Sequence, residues 1–122
     1  MHFTESKMKY LAFPDSEVLK MNVYLPKRLE IYVDGAWSDL NGIRLGKGAL
    51  IIYDWQNLRI RKFDSQLKQW SVVNNPIESL SDLLDVNLRN PLIHIAGFGQ
   101  ESGQWVMWEI TKAKMHADFE LL

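Results

Sequence analysis

The chain reads as a mainly β protein, with antiparallel sheets forming a sandwich or half-barrel of about nine strands and one amphipathic helix near residues 76–89. Three observations predict this. Short runs rich in β-branched and aromatic residues recur with turn residues between them, as in Ala49 to Val73 (ALIIYDWQNLRIRKFDSQLKQWSVV). Period-2 alternation of apolar and polar side chains marks the segments at 18–25 and 115–121. A single stretch, after Val73, carries apolar residues at helical spacing instead. Hairpins following one another without intervening helices point to antiparallel pairing.

Taken in order, residues 1–6 read as a disordered start, and 7–122 as a single β-rich domain. Lys7 to Phe13 reads as a strand ended by the turn residues Pro14-Asp15-Ser16. Leu19, Met21, Val23 and Leu25 alternate with Lys20, Asn22 and Tyr24, and Pro26 stops that strand. Leu29 to Leu40 reads as a hairpin about Asp34-Gly35, a favoured type I′ pair. Its fold-back opposes Tyr32 to Trp37 and Ile31 to Ser38, and sets Glu30 against Asp39. Asn41-Gly42 and Gly46-Lys47-Gly48 bracket Ile43 to Leu45, and these glycines lead into a strand and not into a helix, so they form turns and no phosphate loop.

Ala49 to Tyr53 reads as a strand buried on both faces. A reversal at Gln56-Asn57 then pairs Asp54 with Arg59 and Tyr53 with Ile60, and a second at Asp64 to Leu67 pairs Arg61 with Trp70 and Arg59 with Val72. Arg61 over the Trp70 indole is a cation–π geometry; the plainer reading makes both arginines solvated strand residues. Asn75-Pro76-Ile77-Glu78 resembles a helix start, with Ile77, Leu80, Leu84 and Leu88 on one side and Asn90-Pro91 as the stop. Leu92 to Gly97, Gln104 to Ile110 and Met115 to Leu121 complete the strands.

Composition narrows the function classes. The 122 residues carry 14 basic and 15 acidic side chains, a near balance unlike that of a general nucleic-acid or anionic-membrane binder. No run of about 18 apolar residues is present, and the first residues lack a secretory pattern. With no cysteine there is no disulfide, zinc-thiolate or cysteine nucleophile, which fits a reducing cytoplasm. No catalytic motif, cofactor site or metal site is legible. His94 reads as a half-buried strand residue near Trp108, and His116 with Asp118 supplies only two ligands of mixed type.

Five tryptophans exceed what the core of so short a chain needs. Trp105 and Trp108, three apart on a strand, face opposite sides. Exposed aromatics beside arginines are the residue types of interface anchors; the alternative is that they cap the ends of a barrel. The candidate partner-binding residues are Asp34, Trp37 and Asp39 on the first hairpin, and Arg59, Arg61 and Trp70 on the later strands. Trp37 falls on the face opposite Leu29, Ile31 and Val33, so it points outward or else covers a second apolar layer with Tyr32.

The tracts Ile31 to Trp37 (IYVDGAW) and Gln104 to Glu109 (QWVMWE), in a compact cysteine-free β chain, resemble immunity proteins of contact-dependent growth-inhibition toxin systems. That resemblance implies a cytoplasmic bacterial protein that binds and neutralises one cognate toxin domain; it carries over no site residues, because the group shares no motif. The alternative is a small-ligand or carbohydrate-binding β module, with tryptophans lining a pocket of several hundred cubic ångströms. A third reading, single-stranded nucleic acid on Arg59, Arg61, Lys62, Lys68 and Trp70, is disfavoured by the charge balance.

Overall fold

The computed structural model describes residues 1–24, 26–74 and 77–122. It is mainly β, in two antiparallel sheets. The strands are β1 His2–Phe3, β2 Leu11–Ala12, β3 Ser16–Tyr24, β4 Arg28–Val33, β5 Ala36–Ser38, β6 Ile43–Tyr53 and β7 Asn57–Asp64, then β8 Gln69–Val72, β9 Asp82–Leu83, β10 Asp85–Asn87, β11 Leu92–Phe98, β12 Trp105–Thr111 and β13 Lys114–Leu121. Sheet one runs β1-β13-β6-β4-β3-β9, with β5 on β6 and β2 on β5; sheet two runs β10-β11-β12-β7-β8.

The two sheets share a corner, and it lies where a helix was expected. Among the described residues, 77–89 contain no helix. Ser81 N–H donates to Phe98 O and Leu84 N–H to Ala96 O, while β10 pairs with β11 along Asp85 to Asn87. On its other side the same segment meets sheet one, through β9 on β3 and Val18 N–H donating to Ser81 O. Residues 80–87 therefore link β3 to β11 by hydrogen bonds, and the two open sheets have the form of a sandwich or half-barrel. Helical spacing misleads here because a strand bonded on both sides, and irregular at its centre, also buries Leu80, Leu83 and Leu88. Asn75 and Pro76, the expected helix start, lie outside the described residues.

Other expectations shift for comparable reasons. Near the chain start, His2–Phe3 pairs with Asp118 and Ala117, and Phe3 is fully buried. Glu5–Tyr10 is a 3-10 helix that buries Met8, and a strand begins only at Leu11. Leu19 is exposed despite its apolar position, because the β3–β4 register slips between Val18 and Lys20.

The hairpin turn is Asp39 to Gly42, not Asp34-Gly35. β4 and β5 lie end to end on β6, in one unbroken register from Arg28↔Tyr53 to Ser38↔Ile43. Gly42 takes the positive φ (+61°) that the turn requires. Asp34-Gly35 is instead a bend in the middle of this long strand. Asp34 N–H donates to Glu17 O, the Asp34 carboxylate accepts from Glu17 N–H at 2.9 Å, and Ser16 Oγ donates to Gly35 O at 2.8 Å. Just before the bend Val33 opposes Gly48 of β6, where a Cβ would stand 2.2 Å from the Phe119 ring. The pairs Tyr32–Trp37 and Glu30–Asp39 consequently do not form; Tyr32 opposes Ala49 and Trp37 opposes Arg44.

β6 and β7 do not pair either. Asp54-Trp55-Gln56 carries the chain from sheet one to sheet two, with Asp54 at φ +52°, Trp55 buried and Asp54 beside Lys114 at 3.7 Å. The core between the sheets holds Leu29, Ile31, Leu50 and Ile52 from one side, and Ile60, Ile93, Ile95 and Trp108 from the other.

Candidate functional site

Strand alternation fixes which side chains of sheet two face away from the core. Ile60, Trp108, Ile110, Ile93 and Ile95 point in. Their neighbours along each strand then point out, and the register lines them up in rows across the sheet. Directly opposed residues give the row Trp70–Phe63–Trp105–Phe98 across β8, β7, β12 and β11. Ring centroids are 5.2 Å apart for Phe63–Trp70 and 5.4 Å for Phe98–Trp105, with planes inclined at 46° and 79°. Trp70 and Phe98, at the two ends, are each 44% exposed. Four aromatics side by side on a solvent-facing sheet surface are costly to leave uncovered.

The next row is Val72–Arg61–Met107–Ala96, and beyond it stand Arg59, Glu109 and His94. Arg61 Nη2 lies 2.6 Å and Nε 2.8 Å from Glu109 Oε1, and the guanidinium sits 5.1 Å from the Trp70 ring centroid. The β7–β8 register is two residues off the expected one, with Arg61 opposite Val72 and Trp70 opposite Phe63. A two-residue slip preserves the face, so the cation–π contact forms on the diagonal. The loop is longer than expected because the Asp64 carboxylate accepts from both Gln66 and Leu67 N–H, and Lys68 adopts φ +52°.

Of the six candidate residues, this face brings together Arg59, Arg61 and Trp70. The other three lie on sheet one. Trp37 is outward and 38% exposed, in a cleft of about 280 Å³ with Pro14, Asp15, Asp34 and Arg44. Asp34 is occupied in the bend, and Asp39 sits at the hairpin tip with its N–H on Tyr10 O. Phe63, Phe98, Trp105 and Met107 are the residues that sequence reasoning missed. Register alone aligns them, although period-2 alternation had put Trp105 opposite in sense to Trp108.

The rest of the surface is less suggestive. Lys62 points to the inner side, towards Glu78, in a cleft of about 540 Å³ with Ile60, Val73, Ile77 and Val106, so the basic group read as a nucleic-acid candidate is divided between two faces. Trp37 is the single tryptophan among the described clefts. His94 lies opposite Glu109 on the outer face, away from the inward Trp108. His2 Nδ1 and Asp118 Oδ1 are 2.7 Å apart, and His116 packs against Tyr53; no cluster that could hold a metal is found among the described residues.

Glu78 holds the turn that presents Phe98 and Trp105. Its carboxylate accepts from Ser102 Oγ at 2.5 Å, Ser102 N–H at 2.8 Å and Glu101 N–H at 3.0 Å. Burial alone would raise its pKa, but these hydrogen bonds, with Lys62 nearby, hold it below the usual carboxylate value. No helix among the described residues is long and apolar enough to cross a membrane. No family model, curated protein or solved structure matches the chain.

Proposed function

We propose that this chain is a protein-binding module whose contact surface is the outer face of sheet two. The observation that carries the reading is the row Trp70–Phe63–Trp105–Phe98, flanked by the Arg61–Glu109 pair. Aromatics and arginine are the side chains that anchor protein interfaces. The aromatic rings lose little conformational entropy on burial, and the tryptophans among them retain a polar N–H. Arg61 is already held by Glu109 and Trp70, so it is preorganised for a partner's carboxylate or carbonyl.

A carbohydrate platform is less well supported, since a sugar face stacks on coplanar rings and these are inclined to one another. In its most concrete form, the partner is a cognate toxin domain and the chain is its immunity protein, as the resemblance of the two aromatic tracts suggests.

The test is co-expression with the product of the adjacent gene. Rescue from its toxicity and co-purification are expected, and both should be lost in Trp70→Ala/Phe98→Ala but kept in Tyr32→Ala. A neighbour that is neither toxic nor bound would end the immunity form. A bound neighbour indifferent to Trp70 and Phe98 would move the interface off this face.

A further inference from the structure

Sheet two ends at β8, and this edge carries a second feature that is independent of the outer face. Val73 N–H donates to Ile60 O. In an antiparallel ladder, residues that exchange bonds alternate with residues that do not. The phase set at Val73 therefore assigns Ser71 and Gln69 to the β7 side. It leaves the N–H and C=O of Trp70 and Val72 directed at the open edge, with no partner among the described residues.

Edges of this kind are ordinarily blunted by charge, proline or brevity. Among the other edge strands β10 carries Asp85, and β1 and β2 have two residues each. The stretch Gln69 to Asn74 contains no charged residue, all of β8 is exposed, and Val72 is 57% exposed.

We propose that β8 pairs antiparallel with β8 of a second copy of this chain, about a two-fold axis at Ser71. The hydrogen-bonding phase selects this register. Trp70 meets Val72 of the other copy and Val72 meets its Trp70, so that two bond-exchanging pairs satisfy every free group of both strands. Centring on Trp70 would require Lys68, which sits at φ +52° outside the strand. Centring on Val72 would require Asn74, beyond the strand's end.

Electrostatics agree: with no charge on either edge, no like charges meet across the axis. The area sets the strength. Two four-residue edges, each about 14 Å long, fall short of the roughly 1,200–2,000 Å² of a standard stable complex. Self-association is therefore concentration-dependent, and the aromatic rows of the two copies lie on one continuous sheet face.

Absence of native cysteine makes the test direct. Ser71 would face its own counterpart in a pair that exchanges no bonds, at a Cα separation of about 4.5 Å, within the range a disulfide spans. Mild oxidation of Ser71→Cys, with the oxidant taking the two thiol protons and two electrons, should give a covalent dimer. Gln69→Cys, about 13 Å from its counterpart, should stay monomeric. Sedimentation of the native chain should show its mass rising from one chain towards two over a roughly hundredfold concentration range.

Val72→Pro removes an N–H that points away from β7, so it should abolish this rise without altering thermal unfolding. Should that variant fail to fold, the cysteine pair decides. Ser71→Cys cross-linking no faster than Gln69→Cys, or a native chain that stays at one-chain mass throughout, overturns the proposal.

Discussion

The outer faces of the two sheets obey the same alternation and end in opposite chemistry. On sheet one, Glu30 gathers its neighbours: Arg28 Nε donates at 2.9 Å, Asn22 Nδ2 at 3.4 Å and Tyr32 Oη at 3.5 Å. These polar groups neighbour one another on a face that antiparallel sheets commonly turn to water. On sheet two the comparable positions hold Trp70, Phe63, Trp105, Phe98 and Met107, and the ion pair Arg61–Glu109 is set among them. Under the proposed binding role, the polar face of sheet one would be scaffold and the aromatic face of sheet two the contact surface.

The largest effect should come from breaking the corner that holds the two faces apart. Gly97 lies against the corner strand, and a Cβ there would stand 2.0 Å from the Asp82 carbonyl oxygen. Backbone cannot yield as a flexible side chain can. Gly97→Val should therefore cost more than about 4 kcal/mol and abolish cooperative thermal unfolding. Gly103, at φ +67° in open space, is the control: Gly103→Ala should cost only about 1 kcal/mol, from backbone strain alone. Equal effects at the two glycines would show that the sheets are not joined through residues 80–87.

Next come the ends of the aromatic row. Trp70→Ala and Phe98→Ala should each weaken partner binding by about 2 kcal/mol, the scale of a hot spot. Half-exposed side chains forfeit less when truncated in the free protein, so thermal stability should fall by about 1 kcal/mol or less. Calorimetry with the partner and thermal melts separate the two quantities. A melt that falls while affinity holds would make the row a capping layer of the fold.

Much of this architecture was legible in the chain. The strict alternation of Met115 to Leu121 became β13, and the runs 92–97 and 104–110 became β11 and β12 within a residue or so. Pairing was harder to read, because it is decided over distance. Asp34-Gly35 and Asn41-Gly42 are both good turns locally, and the choice between them fell to Leu45 opposite Ala36 and Gly48 opposite Val33 on a strand that runs on through the bend. Ile77, Leu80, Leu84 and Leu88 fit a helix until the free edges of β3 and β11 require a strand between them. The site followed the same rule. Arg61 and Trp70 were visible as a local pair, whereas Phe63, Trp105 and Phe98 are brought into their row only by the pairing of β7, β12 and β11.

Each face is also edged by a carboxylate below its usual pKa, and the two differ in what they hold. Glu30 is lowered chiefly by the hydrogen bond from Arg28 and serves only the surface of sheet one. Glu78 fixes the turn beside Phe98 and Trp105. A carboxylate with a lowered folded-state pKa adds stability that is present above its unfolded value and lost as pH falls through the folded one. Wild type should therefore weaken progressively below about pH 4.5. Glu78→Gln should be less stable at neutral pH by about 1 kcal/mol, screening included, with a flatter acid limb. Glu30→Gln should shift less, because an exposed pair contributes little. Chemical denaturation from pH 3 to pH 7 measures both, and a larger loss for Glu30→Gln would reverse the ranking of the faces.

The smallest effect is expected at Trp37, and it bears most directly on which face binds. Trp37 is the one exposed tryptophan of sheet one. It stands outward opposite Arg44, at a bend whose own stability comes from Ser16, Glu17 and Asp34, not from the indole. Among the described residues it has no aromatic partner, because the collinear run of β4 into β5 carries Tyr32 away from it. A second apolar layer built from Tyr32 and Trp37 is thereby ruled out. Trp37→Ala should lower thermal stability by no more than about 1 kcal/mol and leave partner affinity within a factor of two. The neighbouring Asp34 gives the opposite signature: Asp34→Ala removes the acceptor of Glu17 N–H and should cost more stability than the tryptophan beside it. If Trp37→Ala abolished binding while the melt stayed native, the bend of sheet one would be the interface, and the aromatic row of sheet two would need another occupant.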